Sequence, residues 1–253
     1  MSFLSDTWTV FTRAMRLALR QPLWVVIGVM QPILYLTLFG PLLVPLASAP
    51  GFPPGDAWVI FVPGLLVQLG IFGGAFVGFG IIAEWRYGVI DRELVTPASR
   101  AALITGRVMR DVVVLVVQAI ILIVCALFFG LRVPFGAVLL GLIMIGLLGA
   151  SFSYLSYSVG LMTKSEDAFA PLVNMVSLPV LLLSGILLPM SLAPRWLQIL
   201  SDINPFKHIV NAVRAIFRGE VGTFETGLGL LIAILLIAGG VWLGQRTFVA
   251  QTK

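Results

Sequence analysis

The sequence predicts an all-α polytopic membrane protein: one transmembrane domain over residues 1–253 with six spanning helices. Three observations lead there. Hydrophobic residues make up 59% of the chain and charged residues only 11%, where a soluble domain carries roughly 25% charged. Mean hydropathy is +1.07. Six stretches contain no Asp, Glu, Lys or Arg, and each reaches the ~20 residues a spanning helix needs.

Those stretches are residues 21–55, 57–83, 112–131, 133–163, 168–194 and 226–245. Backbone groups in hydrocarbon must be satisfied internally, so each is read as a helix. Continuous apolar runs, without alternation every second residue, argue against a β-barrel. Pro32, Pro63 and Pro179 are expected to kink three of the helices. The triplet Ala47–Ser48–Ala49 has the small residues of a cleavage site. A signal peptide's apolar core is only about 7–15 residues, so the first run is read as a retained helix.

Orientation follows from the basic residues. Of the sixteen, Arg13, Arg16, Arg20, Arg86, Arg92, Arg100, Arg107, Arg110, Lys164, Arg246 and Lys253 fall on one side. Arg132, Arg195, Lys207, Arg214 and Arg218 fall on the other. The bias places both termini in the cytoplasm of a multi-pass inner-membrane protein. The isoelectric point near 9.9 comes from clusters between apolar runs and not from one patch, so nucleic acid is not an expected partner. Membrane lipid is.

Three segments do not span. Residues 1–20 place Trp8, Phe11, Met15 and Leu19 on one helical face and Arg13, Arg16 and Arg20 on another, the pattern of an interfacial helix. Residues 84–111 form the longest charged segment. Gly88 breaks the preceding helix, a short amphipathic helix follows over 89–95, and Thr96-Pro97 opens a new element. Such an element is a candidate docking surface for a soluble partner. Residues 190–225 hold an amphipathic stretch with Trp196, Leu197, Ile199, Leu200 and Ile203, ended by Asn204-Pro205, then a second short helix over 207–217. Both are too short to cross and are expected to dip partly into the outer leaflet.

Several chemistries are missing from the sequence. It has no phosphate-loop motif. His208 is the single histidine and Cys125 the single cysteine, which leaves no His- or Cys-based metal cluster, no disulfide within the chain and no Ser-His-Asp set. The six runs hold no acid or base, where ion-driven carriers place theirs. Uncharged polar groups do occur. Asn174, Ser177 and Ser184 are read on one face of the fifth helix, Tyr154, Tyr157 and Ser158 cluster in the fourth, and Gln68 lies in the second. They either line a path or hydrogen-bond between helices. Gly70, Gly74 and Gly78 form a small-residue strip that lets a neighbour approach, within the bundle or across a dimer.

Three segments carry a family resemblance: QPILYLTLFG at residues 31–40; the stretch with Glu84, Gly88, Leu94, Thr96-Pro97 and Ser99-Arg100; and SGILLPMSLAPRWLQILSDINPFKHIVNAVR at residues 184–214. The second resembles an E-x-x-G…L-x-T-P-x-S-R element. The third resembles an S-G-x-x-x-P…P-x-W-[LM]…N-P-[LF]…A-x-R signature. Together they resemble the permeases of type-2 ATP-binding-cassette exporters, in the daunorubicin-resistance and nodulation-factor branch. Val89 stands where Thr is usual and His208 where Tyr is common.

The resemblance implies a second permease copy, the same or different, and two separate ATPase subunits that carry ATP and Mg; this chain would be no enzyme and hold no cofactor. It implies a coupling helix within Glu84, Arg86, Gly88, Arg92, Thr96, Pro97, Ser99 and Arg100. A translocation path or dimer interface would involve Gln68, Gly70, Gly74, Gly78, Asn174, Ser177 and Ser184, where the second and fifth helices face each other. An external re-entrant gate would include Pro189, Trp196, Asn204, Pro205 and His208. The cargo would be an amphipathic drug, lipid or lipid-linked glycan. The alternatives are a self-contained gradient-driven carrier or channel and a membrane-embedded enzyme.

Overall fold

A computed structural model of the chain describes residues 3–46, 56–187 and 189–251. The triplet 47–49, the end of the first run and Lys253 lie outside the described residues. Among the described residues there are twelve α-helices and no strand. Six helical stretches are long and apolar enough to cross a membrane: Val25–Pro45, Ala57–Arg86, Arg100–Phe128, Phe135–Thr163, Glu166–Leu183 and Phe224–Gln251.

The N-terminal helix α1 (Phe3–Leu19) packs along the start of α7 (Arg100–Phe128). The seam uses neither of the faces expected to dominate. Asp6 and Thr7 are buried and Val10 lies against Gly106. A Cβ at Gly106 would stand 2.7 Å from Val10 Cβ and 2.8 Å from the Thr7 carbonyl oxygen, so only glycine allows this approach. Trp8 and Leu19 remain exposed.

The first span comprises α2 (Leu23–Leu34), a π-helical turn at Tyr35–Phe39 and α3 (Gly40–Leu46). The π turn begins three residues after Pro32, whose missing N–H disturbs the helical ladder. The second span is α4 (Ala57–Ala75) and α5 (Gly78–Arg86), separated by a break at Phe76–Val77. The kink expected at Pro63 does not interrupt α4. The break has another cause. The Ser156 hydroxyl inserts between the two helices, donating to the Ala75 carbonyl at 2.5 Å and accepting from the Gly78 N–H at 2.8 Å, as inserted side chains do at kinks.

After Gly88, at φ +65°, comes α6 (Val89–Leu94). Thr96-Pro97 was expected to open the next helix, but α7 opens at Arg100, where the Ser99 hydroxyl accepts from the Ala102 N–H at 3.2 Å. The third span therefore starts twelve residues before the charge-free run at Val112, and the 84–111 segment is half helix α7. Beyond it lie α8 (Phe135–Thr163), α9 (Glu166–Leu183), α10 (Arg195–Ile203), α11 (Pro205–Phe217) and α12 (Phe224–Gln251). The fifth span ends at Leu183, not Pro194, because the chain turns at Gly185 with φ +70°.

Helix α4 sits at the centre, with nearly every residue buried. Its glycine strip is filled from the same chain. Gly70 meets Ile145 and Leu148, Gly74 meets Gly149 and Phe152 of α8, and Gly78 meets Ser156 and Phe169. A Cβ at Gly78 would lie 2.3 Å from Phe169 Cζ and 2.7 Å from the Ser156 carbonyl oxygen, while at Gly80 it would meet nothing within 4 Å. Gly78→Ala is expected to cost about 1–3 kcal/mol by overpacking, and Gly80→Ala to be neutral or mildly stabilising on helix propensity. Thermal unfolding of the two variants in detergent checks this pair.

Helix α11 is enclosed by the bundle to an extent its few charges did not suggest. Ile209, Val210, Ala212, Val213, Ala215, Ile216 and Phe217 are all buried, wedged among α4, α8 and α12. By contrast, α10 exposes Trp196, Ile199, Leu200 and Ile203.

Candidate coupling site

The two ends of the bundle differ in chemistry. One end gathers α1, α6, the start of α7 and the last turns of α12, as the Asp6–Ser99 and Arg100–Val249 hydrogen bonds of 3.3 Å show. The other end carries α10 and α11.

At the first end α6 stands between two helix-breaking devices, Gly88 and the Ser99 cap. Ile90 and Glu93, three residues apart, share its inner face. Ile90 is buried with Leu103, Ile104, Tyr157 and Phe248 in an apolar cluster. Asp91 and Arg92 face outward, and Val95 is 86% exposed at the tip. An aliphatic side chain presented so openly at the end of a six-residue helix is not covered by the described residues.

Behind α6 lies a knot of charge. The Arg107 guanidinium, 4% exposed, donates to Glu84 at 2.7 and 2.9 Å and to Glu93 at 2.6 Å. A fourth Arg107 bond, at 2.9 Å, reaches the Leu103 carbonyl. Arg13 of α1 donates to the second oxygen of Glu93 at 2.5 Å. One guanidinium thus joins α5, α6 and α7, and Glu93 extends the link to α1. A neighbouring set is formed by Asp111, which accepts from the Tyr157 hydroxyl at 2.5 Å and lies 2.8 Å from Arg110 Nε. Acids and bases therefore do occur within the third helix, buried three turns in. They are tolerated there because each meets an opposite charge and a hydrogen bond.

The expected coupling residues fall into two groups. Some are engaged inside the chain. Glu84 holds Arg107, Arg86 pairs with Glu166 at 3.3 Å, Ser99 caps α7, and Arg100 donates to the Val249 carbonyl. Thr96 bonds back to the Glu93 carbonyl at 2.6 Å. Arg92 and Pro97 are exposed, and Gly88 supplies the left-handed turn. Glu84 is thus less peripheral than its place in a charged segment suggested.

The expected path residues differ in burial: Ser177 and Ser184 are buried, while Asn174, one turn from Ser177, is exposed. Ser184 donates to the Leu181 carbonyl at 2.9 Å. Gln68 is 1% exposed, and neither end of its amide has a hydrogen-bond partner among the described residues. Buried amides are normally paired, so Gln68 is the most conspicuous polar group in α4. Tyr154 and Ser158 are occupied locally, with Thr105 and the Tyr154 carbonyl.

At the opposite end Asn204 does double duty. Its Oδ1 accepts from the Phe206 N–H at 3.0 Å, capping α11, and its Nδ2 donates to the Val180 carbonyl at 3.2 Å. Pro205 follows as the first helical residue. Pro189 is buried, Trp196 is exposed on α10, and His208 lies 3.1 Å from the Asp202 carbonyl oxygen.

Sequence reasoning placed Arg214 at the A-x-R end of the third motif but gave it no role. It is 5% exposed and donates through Nε to the Ile60 carbonyl and through Nη2 to the Gly185 carbonyl, both at 2.8 Å. No carboxylate pairs with it among the described residues. Burial, and then the nearby charge of Arg218, draw its pKa down to about 10, so it remains charged at neutral pH. Its signal in the sequence was a lone cation inside an otherwise apolar stretch, 209–217. The signal for Arg107 and Asp111 was their i, i+4 spacing within the element expected to open at Thr96-Pro97, but the partners that bury them lie on other helices.

Comparison with known proteins bears directly on this arrangement. A model of the ABC-2 type transporter family matches residues 5–217. The chain belongs to that family. The permease is 24% identical over 247 residues to a protein described as a transport permease, ycf38, of Cyanophora paradoxa, covering 93% of this chain and 85% of that one. It is 25% identical over 237 residues to the daunorubicin resistance ABC transporter permease protein DrrB1 of Streptomyces coeruleorubidus, covering 93% and 83%. It is 27% identical over 165 residues to an Escherichia coli protein described as a multidrug ABC transporter permease, YbhR, covering 63% of this chain and 44% of that one. As an ABC-2 permease the chain is a non-catalytic, multi-pass membrane subunit. In such systems ATP binds to partner ATPase subunits, and association with them is implied.

Proposed function

We propose that this permease is the membrane half of an ATP-driven exporter that moves an amphipathic drug, lipid or lipid-linked glycan across the inner membrane. Both termini lie in the cytoplasm in this reading, following the positive-inside bias. Two permease copies, identical or different, work with two ATPases that carry ATP and Mg. Helix α1 lies at the inner interface, α6 is the coupling helix, and α10 with α11 form the external re-entrant gate that includes Pro189, Trp196, Asn204, Pro205 and His208.

One observation carries this reading: α6 is tethered on its inner face by Ile90 and Glu93 while Arg92 and Val95 face outward. An element gripped from behind and bare in front suits the transmission of a push. Residues Glu84, Arg86, Ser99 and Arg100 then act by holding the coupling helix, and Arg92, Val95, Thr96 and Pro97 by touching the ATPase. Because α8 fills the glycine strip of α4, the outer side of α9 is the better candidate for the second copy. It exposes Leu172, Met175, Val176, Leu178 and Asn174. Gln68, Ser177 and Ser184 remain the polar groups for a path beside it.

Charge reversal at Arg92 tests the docking. Arg92→Glu is expected to lower the amount of ATPase co-purified with the tagged permease about tenfold, the change that ~1.4 kcal/mol of lost binding brings, with thermal stability unchanged. Undiminished ATPase recovery would remove α6 as the docking element. If no phosphate-loop ATPase is recovered even with the unaltered chain, a gradient-driven carrier becomes the better reading.

A further inference from the structure

A cleft of about 860 Å³ opens between the first span and the pair α5 and α7. Its polar end adjoins the Arg110–Asp111 set, and its ring Phe79 packs edge-on against Phe169 of α9 with centroids 4.8 Å apart. Its floor is a ladder of three phenyl rings, Phe72, Phe76 and Phe79, with successive centroids 5.9 and 6.1 Å apart. Val114 of α7 forms part of the wall. The first span closes the other side and is fastened there by Gln118, whose Nε2 donates to the Val25 carbonyl at 2.9 Å. Gly80 faces the cleft, and a Cβ built on it would meet nothing within 4 Å.

The charged lining residues gather at one end. The phenyl ladder is apolar, Gln31 and Gln118 add neutral amides to the wall, and Arg110 and Asp111 lie together with Gln21 near the termini. Both Asp111 oxygens are engaged, by Tyr157 and by Arg110. The Arg110 side chain is 28% exposed and reaches Tyr157 with one nitrogen at 3.3 Å. What that end offers to a ligand is therefore hydrogen-bond donors, the guanidinium and the Gln21 amide. Arg20, adjacent to Gln21, is also exposed and adds positive charge at the mouth.

We propose that this cleft binds one membrane phospholipid with an anionic headgroup. The phosphate sits on Arg110 and Gln21, and an acyl chain lies along the phenyl ladder. Three features select this occupant. The cleft opens within spanning segments, where acyl chains and not water are the solvent. Its polar end presents the Arg110 guanidinium and the Gln21 amide N–H groups, which can donate to a phosphate, while the Asp111 carboxylate there is already met by Tyr157 and Arg110. Its size falls within the range of pockets that bury a small amphiphile. The site does not depend on ATPase pairing, so its failure would leave the exporter reading intact, and the reverse also holds.

The full chain is placed in nanodiscs of phosphatidylcholine doped with phosphatidylglycerol that bears a photoreactive acyl chain, and adducts are mapped by peptide mass spectrometry. Adducts are expected to concentrate on residues 72–83 and 114–118. Gly80→Leu fills the cleft at a position with open space and improves helix propensity, so it is expected to fold and to reduce those adducts by about tenfold or more. The same photoreactive chain on phosphatidylcholine is expected to label these residues several-fold less, and Arg110→Gln to erase that headgroup difference. Three results overturn the proposal: adducts spread evenly over the lipid-facing surface; labelling unaffected by Gly80→Leu; or a disulfide between two copies through Gly80→Cys, which would mean that a second permease covers the cleft.

Discussion

Replacing Arg107 by Gln is expected to destabilise the permease by about 3–5 kcal/mol, the usual cost of removing one partner from a buried ion pair. Arg107 is nearly inaccessible and neutralises Glu84 and Glu93 at once. Without it two carboxylates face each other, and Arg13 alone remains to meet Glu93. At about 2–4 °C per kcal/mol for a chain of this size, Tm should fall by roughly 6–20 °C. Because the knot joins α1, α5, α6 and α7, the loss should also loosen α6, seen as faster amide exchange over 89–95. Combining Arg107→Met with Glu93→Leu should recover part of the stability, since an apolar replacement of the whole pair is often tolerated. A single variant as stable as the unaltered chain would show that the charges are hydrated and not buried.

Arg214→Met is expected to cost about 3–6 kcal/mol, from two short charge-assisted bonds worth ~1.5–3 kcal/mol each. The Ile60 and Gly185 carbonyls would lose their buried donors. Relief from burying an unpaired cation works in the other direction and moves the figure toward its low end. Arg214→Lys should fall between, because an ammonium cannot bridge carbonyls on two separate elements as a planar fork does. Since Arg214 ties α4 and the turn after α9 to α11, the loss should expose α11 to exchange before the rest of the bundle. Protection of α11 unchanged in Arg214→Met would sink its assignment as the staple of the re-entrant segment.

Much of the fold is legible in the sequence, because hydrocarbon leaves the backbone so few choices. The six spans, the left-handed break at Gly88, the short helix after it and the Asn204-Pro205 junction all follow from composition and from local chemistry. What the sequence hid depends on pairing across the bundle. Arg107, Arg110 and Asp111 were counted with the charged cytoplasmic segment, and the carboxylates of Glu84 and Glu93 and the hydroxyl of Tyr157 are what make them admissible when buried. The break at Phe76–Val77 was invisible because its cause, Ser156, lies some 80 residues away. Pro63, the local kink signal, leaves α4 continuous. Helix α11 looked superficial from its few charges, yet Arg214 is satisfied by carbonyls that no periodicity reveals.

The site was legible in outline only. The amphipathic stretch after Gly88 marked α6, but the division between residues that hold it and residues that front it needed the geometry. Glu84 and Arg92, equivalent by charge pattern, turn out to face opposite ways. In the fifth helix Asn174 and Ser177, neighbours one turn apart, differ in burial in a way the sequence pattern does not reveal.

The most direct test of the coupling account places a photoreactive phenylalanine analogue at Val95, with a second at Leu178 on the exposed side of α9 as control, in membranes of the native cell. Adducts are identified by mass spectrometry. The account predicts that Val95 captures a phosphate-loop ATPase and that Leu178 captures lipid or another permease copy. An ATPase absent from the Val95 adducts, or captured equally well from Leu178, would contradict it.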